Sequence, residues 1–154
     1  MANKLSENET AESLAQSNSV SAAKFEQIRK AHQSEVAEDY VEMIAELITE
    51  TGEARAVDLA ARFGVTAPTV NATVQRLQRE GLVESRPYRS IFLTDTGRAL
   101  AERCKARHQL VASFLEALGV DPQQADADAE GMEHHISAET LAVFANYLSA
   151  QNKG

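Results

Sequence analysis

The stretch Val57-Asp-Leu-Ala-Ala-Arg-Phe-Gly-Val-Thr-Ala-Pro-Thr-Val-Asn-Ala-Thr-Val-Gln-Arg-Leu77 decides the fold. Leu59, Ala60 and Phe63 form the apolar side of a short helix, and small Ala60 lets a second helix approach. Gly64 permits a turn, and Val65 is expected to plug the joint beneath it. Val70, Val74 and Leu77 recur at helical spacing and form the inner face of the second helix. Its outer face carries Thr66, Thr69, Asn71, Thr73, Gln75 and Arg76, with Pro68 in the first turn. Hydroxyl, amide and guanidinium groups of this kind reach base edges and phosphates in a major groove. The pattern predicts a helix-turn-helix.

Two short strand-like runs follow, Leu82 to Arg86 and Ser90 to Leu93, around Pro87-Tyr88-Arg89. The hairpin tip holds Arg86, Tyr88 and Arg89, suited to phosphates or a minor groove. A polar helical hairpin with a solvated turn is the plainer reading. The short turn, the absence of acids on the outer face before Glu80 and the basic hairpin disfavour it. A winged helix-turn-helix is expected, contacting double-stranded DNA through Thr66, Pro68, Thr69, Asn71, Gln75, Arg76, Arg86, Tyr88 and Arg89.

Charge is distributed accordingly. The formal net charge is −8 over 154 residues, yet Arg55 to Arg107 carries ten Arg and Lys against five Asp and Glu. The rest of the chain carries five bases against eighteen acids, so only the middle suits an anion.

Outside this middle, the composition of residues 1–21 reads as a flexible tail, followed by a long helix from about Ala22 to Thr51 that Gly52 ends. Thr94 and Asp95 open a helix reaching about Leu118. Asp121-Pro122 opens another to about His134, and Ser137 caps a last one. The expected fold is mainly α: a winged helix-turn-helix over 22–95, then a helical unit over 96–154. No apolar run approaches the roughly 18 residues that cross a bilayer, and no secretory signal is evident. The single Cys104 fits a reducing cytoplasm and argues against zinc-finger or iron–sulfur chemistry.

The acidic flanks contain a second constellation. In Glu130-Gly-Met-Glu-His-His135, a helix would place Glu130, Glu133 and His134 on one side. Asp39 and Glu42 sit at i and i+3 beside the apolar stripe of the long helix, and His108 lies inward on its own helix. Each piece alone reads as a solvated acid or a core histidine. Together they offer four carboxylates and two imidazoles, whose mutual repulsion two divalent cations would cancel. Oxygen-rich ligation without thiolate favours manganese, with ferrous iron close behind. The spacing matches neither zinc-protease helix motif, and no nucleophile stands beside a base, so an enzyme is not expected.

These residues resemble the diphtheria toxin repressor family, in its manganese-regulator branch. The resemblance rests on Glu38-Asp-Tyr-Val-Glu42, Val65-Thr-Ala-Pro-Thr-Val70, Arg107-His108 and Asp128-Ala-Glu-Gly-Met-Glu-His-His-Ile-Ser137, and runs from about Ser34 to Leu148. It implies metal ligands at Asp39, Glu42, His108, Glu130, Glu133 and His134, with His135 outside the ligand set and Glu130 as a bridging carboxylate. The family's iron-sensing branch has sulfur ligands where this chain has Asp39 and Glu130, which points to Mn2+, two ions per subunit, with Fe2+ as the alternative. The resemblance further implies a homodimer on palindromic operator DNA, with Met132, Ile136, Leu141 and Phe144 offering apolar surface for dimerisation. No membrane or small organic substrate is expected. Asn71-Ala72 departs from a lysine common in the branch, and residues 1–33 exceed its short form. A winged-helix regulator sensing an organic ligand is the competing reading; a chelator that leaves DNA affinity unchanged would favour it.

Overall fold

The computed structural model describes the backbone of residues 2–86 and 88–151, with side chains from residue 11 onward; Met1, Pro87 of the wing turn and residues 152–154 lie outside the described residues. Two compact units emerge, residues 1–36 and 37–154. Within the first, residues 2–21, read from composition as a flexible tail, are helical. Helix α1 is Ala2–Thr51, twenty residues longer at its start than its apolar stripe indicates. The physical reason is that neither Pro nor Gly interrupts residues 1–51. Side chains 11–34 are exposed, including Leu14, Val20, Phe25 and Ile28.

In the second unit the end of α1 buries Ala37, Tyr40, Val41, Ile44 and Leu47. Gly52 follows at φ +85°, a left-handed conformation that favours glycine. Helices α2 (Ala56–Phe63) and α3 (Ala67–Arg79) bury Leu59, Val70, Val74 and Leu77 against this core. The Tyr40 and Phe63 rings stack with centroids 4.5 Å apart, joining α1 to α2.

The wing is shorter than the hydrophobic runs suggest. Strands β1 (Val83–Glu84) and β2 (Phe92–Leu93) pair antiparallel, Val83 opposite Leu93, and Ile91 bridges separately to Ala54. Helix α4 (Asp95–Ala117) is capped by Thr94, whose hydroxyl accepts from the Gly97 amide at 3.0 Å. Gly97 has no room for a side chain: a Cβ there would lie 1.9 Å from the Leu82 carbonyl oxygen. Helix α5 (Pro122–Met132) begins at the Asp121 cap. It ends earlier than expected, because Glu133–His135 tighten into a 3-10 turn before α6 (Ala138–Gln151).

Helices α4, α5 and α6 share a small core of Val111, Ala112 and Ala129. Ile136, Leu141 and Phe144, expected as dimerisation surface, pack partly against this core, with Phe144 stacked 3.8 Å from Phe114. The apolar side chains left more open here are Leu118, Met132 and Val143. Among the described residues no helix is long and apolar enough to cross a membrane.

Candidate metal centre and nucleic-acid interface

Every candidate ligand lies in the 37–154 unit. His108 comes from α4, Glu130 from α5, and Glu133 and His134 from the 3-10 turn; Asp39 and Glu42 come from α1. Nδ1 of His108 lies 2.9 Å from Oε2 of Glu133 and 3.4 Å from Oε2 of Glu130. One donor atom from each of these three residues fits within a mutual span of 4.8 Å. Nε2 of His134 lies 3.0 Å from Oδ1 of Asp39 and 3.6 Å from Oε1 of Glu133. Glu133 therefore stands between the imidazoles, one oxygen toward each. Glu130 reaches the same His108 nitrogen from α5, with its side chain largely exposed.

Glu133 and His134 both lie in the 3-10 turn that follows α5, and both side chains are buried there. Glu133 is only 1% exposed and its Oε2 has no hydrogen-bond partner; its closeness to His108 is a contact of charge without hydrogen-bond alignment. Such a carboxylate needs a cation or a proton.

Electrostatics tell the same story. Burial, followed by the charges of Glu133 and Glu130, raises the Glu42 carboxyl to about 7, with Asp39 adding and His134 opposing. Burial also raises Glu133, against the lowering effect of His108 and His134. Burial disfavours the charged form of His108, but the hydrogen bond to Asp126 and the charges of Glu133 and Glu130 outweigh it, so its pKa rises. His134 behaves alike, raised against burial by Glu38, Asp39 and Glu133. Glu42, Glu133, His108 and His134 thus form one electrostatically coupled group, each raised above its ordinary value.

Two further carboxylates enter this group. Oε2 of Glu38 lies 2.6 Å from Nδ1 of His134 and also accepts from Nη2 of Arg107, while Oδ1 of Asp126 lies 2.7 Å from Nε2 of His108. Sequence reasoning gave neither a role. Glu38 is four residues before Glu42, so its inward register was readable, but its partner is 96 residues away. Cys104 is buried and its thiol is pushed up to about 12, chiefly by burial and then by the charges of Glu38 and Glu42, which suits it poorly to ligation.

The donor set fits a divalent cation. It combines carboxylate oxygens with imidazole nitrogens and leaves a buried carboxylate oxygen without a hydrogen-bond partner, which a hard or borderline ion would satisfy.

The reading head lies elsewhere in the same unit. Gly64 adopts φ +64°, and the Val65 amide donates to the Ala60 carbonyl at 3.1 Å, closing the turn between α2 and α3. Val65 itself is 38% exposed and does not plug the joint, whereas Leu59 and Val70 on the two helices are fully buried. Thr66 caps α3, its hydroxyl 2.9 Å from that of Thr69, with Pro68 in the first turn. Pro68, Thr69, Asn71 and Gln75 are exposed. Arg76 is partly buried and paired with Glu80 at 3.1 Å. Arg79, absent from the sequence candidates, is exposed opposite the buried Val70–Val74–Leu77 face, a position helical geometry alone would have identified. In the wing, Arg86, Tyr88 and Arg89 are exposed, and Tyr88 takes φ +60°, uncommon for a bulky residue.

Comparison with known proteins places both regions. Residues 32–91 match the iron dependent repressor N-terminal DNA binding domain, and residues 94–152 match the iron dependent repressor metal binding and dimerisation domain. The chain is 54% identical over 120 residues to the transcriptional regulator MntR of Escherichia coli O6:H1, covering 78% of this chain and 77% of that one. Identity to MntR of Salmonella typhimurium is 52% over 120 residues, covering 78% and 76%. Among solved structures, a manganese-dependent transcriptional repressor in complex with manganese superposes with a TM-score of 0.65 at 31% identity, covering 73% of this chain. This chain matches only 52% of that repressor's length. The chain belongs to the diphtheria toxin repressor family of transcriptional regulators, in the branch represented by MntR.

Proposed function

We propose that this chain is a manganese-responsive transcriptional repressor that binds palindromic operator DNA as a homodimer in the cytoplasm. The ligands are Asp39, Glu42, His108, Glu130, Glu133 and His134, shared between two ions per subunit. The observation that carries this reading is the buried Glu133 carboxylate set between two imidazoles with an oxygen that has no hydrogen-bond partner. Support also comes from the manganese complex of the structural relative and from the MntR relatives.

A bound cation supplies the positive charge that the clustered carboxylates lack. The chain's own residues do the rest. Asp39 and Glu42 sit on the α1 segment that carries Tyr40 against Phe63 of the reading head, whereas His108, Glu130, Glu133 and His134 sit on α4, α5 and the turn. Joining these groups sets the position of each α3 relative to the dimerisation helices. The two recognition helices then match turns of the same DNA, about 34 Å or a multiple of it apart. Repulsion among the metal-free carboxylates favours many head positions, and DNA binding then carries an ordering cost. Thr66, Pro68, Thr69, Asn71, Gln75 and Arg76 serve the major groove, and Arg86, Tyr88 and Arg89 the flanking backbone or minor groove. The role is regulatory rather than catalytic.

Fluorescence anisotropy on promoter fragments of manganese-transport genes, with manganese and with chelator, tests this function. Binding that requires manganese supports it; binding equal in both conditions refutes the switch. Titration with ferrous iron under anaerobic conditions discriminates the alternative ion.

A further inference from the structure

His134 is held from two sides. Its Nδ1 lies 2.6 Å from Oε2 of Glu38, and its Nε2 faces Asp39 and Glu133. Glu38 is in turn anchored, because Nη2 of Arg107 donates to the same oxygen. The His134 side chain is 4% exposed and that of Glu38 14%, so water competes weakly for this contact. A neutral imidazole carries one proton on one nitrogen, and the hydrogen bond made by one nitrogen decides which face of the ring the other offers. His108 shows the opposite arrangement: Asp126 meets its Nε2, and its Nδ1 faces Glu130 and Glu133.

We propose that Glu38 is a positioning residue for the metal centre: it accepts a hydrogen bond from Nδ1–H of His134 and so leaves Nε2 bare toward Asp39 and Glu133, with Arg107 holding Glu38 in place. The inference rests on the reading of the cluster as a metal site. Asp126 stands in the same relation to His108, but its side chain is 74% exposed, so the less exposed Glu38 carries the stronger constraint. A carboxylate behind a ligating histidine fixes the ring and raises its basicity, and losing such a partner lowers metal affinity roughly 10–100-fold.

The test uses the full chain with ¹⁵N-labelled histidine. Two-bond proton–nitrogen spectra of the metal-free protein, at a pH where the rings are neutral, report each tautomer. Manganese affinity is measured separately from the free-ion electron paramagnetic resonance signal. In the wild type, His134 is expected as Nδ1–H and His108 as Nε2–H. Glu38→Ala should move His134 toward Nε2–H, leave His108 unchanged, and weaken manganese binding roughly 10–100-fold. Glu38→Gln, whose amide oxygen still accepts, should retain most of both properties. If the alanine variant fails to fold by circular dichroism, Glu38→Asp withdraws the oxygen by one methylene and serves the same comparison. Unchanged tautomer or unchanged manganese affinity in the variant overturns the positioning role while leaving the metal site standing. A wild-type chain that binds no manganese overturns the metal reading and this role with it.

Discussion

Nδ1 of His108, in the middle of α4, lies 2.9 Å from Oε2 of Glu133, a carboxylate that the fold buries almost completely. A buried acceptor left unsatisfied costs about 1–3 kcal/mol, more when charged. The fold tolerates this because the neighbouring histidines offset part of the charge, and a cation offsets the remainder when bound. Stability has been traded against binding capacity at this residue.

The trade has a pH signature in the metal-free protein. Glu42 is raised to about 7 and Glu133 is raised as well, so the folded state holds these protons more tightly than the unfolded chain. That contribution is fully present below the unfolded carboxyl value and is lost as pH rises through the folded one. His108 and His134 are raised too, so their contribution is also lost with rising pH. The four groups act in the same direction. Thermal melts of metal-free protein should show Tm falling as pH rises through neutrality, and Glu133→Gln should flatten that fall. A Tm that rises over this range would refute the assignment.

Metal binding should release protons for the same reason. Apparent manganese affinity is expected to climb with pH through about 7, where Glu42 gives up its proton. Calorimetry in buffers of different ionisation enthalpy measures the released protons directly. Zero proton release near neutrality contradicts the placement of Glu42 and the histidines in the site.

Glu130→Ala should abolish manganese-dependent operator binding while leaving a folded dimer. The carboxylate is largely exposed, so its loss leaves no buried cavity. Sedimentation and circular dichroism check the fold, and anisotropy checks DNA. Loss of fold together with function would show that Glu130 is structural.

On the reading head, Arg79→Ala should weaken DNA binding nearly uniformly across sequences and reduce the salt slope by about 1, as expected for one phosphate contact. Arg76→Ala should also weaken DNA binding with manganese affinity intact, and in addition it breaks the pair with Glu80. Salt-dependent anisotropy separates the two. An unchanged slope in Arg79→Ala removes it from the interface.

Gly97→Ala should destabilise the protein by about 1–3 kcal/mol, because overpacked sites must displace their neighbours. The neighbour here is Leu82 backbone, which cannot rotate away. Chemical denaturation measures the loss. A variant as stable as wild type would mean that α4 and the wing can separate without cost.

Local rules account for much of the architecture. The Thr66, Thr94, Asp121 and Ser137 caps each accept an amide from the following turn, as their residue types dictate. Val70, Val74 and Leu77 are buried because a 3.6-residue period brings them onto one face, and Gly52 and Gly64 end helices because they enter left-handed backbone cheaply. These are short-range effects, complete within a few residues of chain. Propensity also explains the miscounted start of α1: polar residues without Pro or Gly suit a helix even where no core demands one.

Residue types and spacing alone also selected six chemically compatible side chains, since hard-ion ligation leaves few options among carboxylates and imidazoles. What they left open was decided by packing between distant segments. Glu133, in the 3-10 turn after α5, is buried between the two histidines, while Glu130 on α5 is largely exposed. Glu38 found His134 across 96 residues, Asp126 found His108 across 18, and Arg76 paired with Glu80 while Arg79 stayed exposed. Helical periodicity assigns a face but not the neighbour that the face meets. Burial then raises the Glu42 and Glu133 carboxyls, because desolvation depends on every atom packed around a group rather than on its place in the chain.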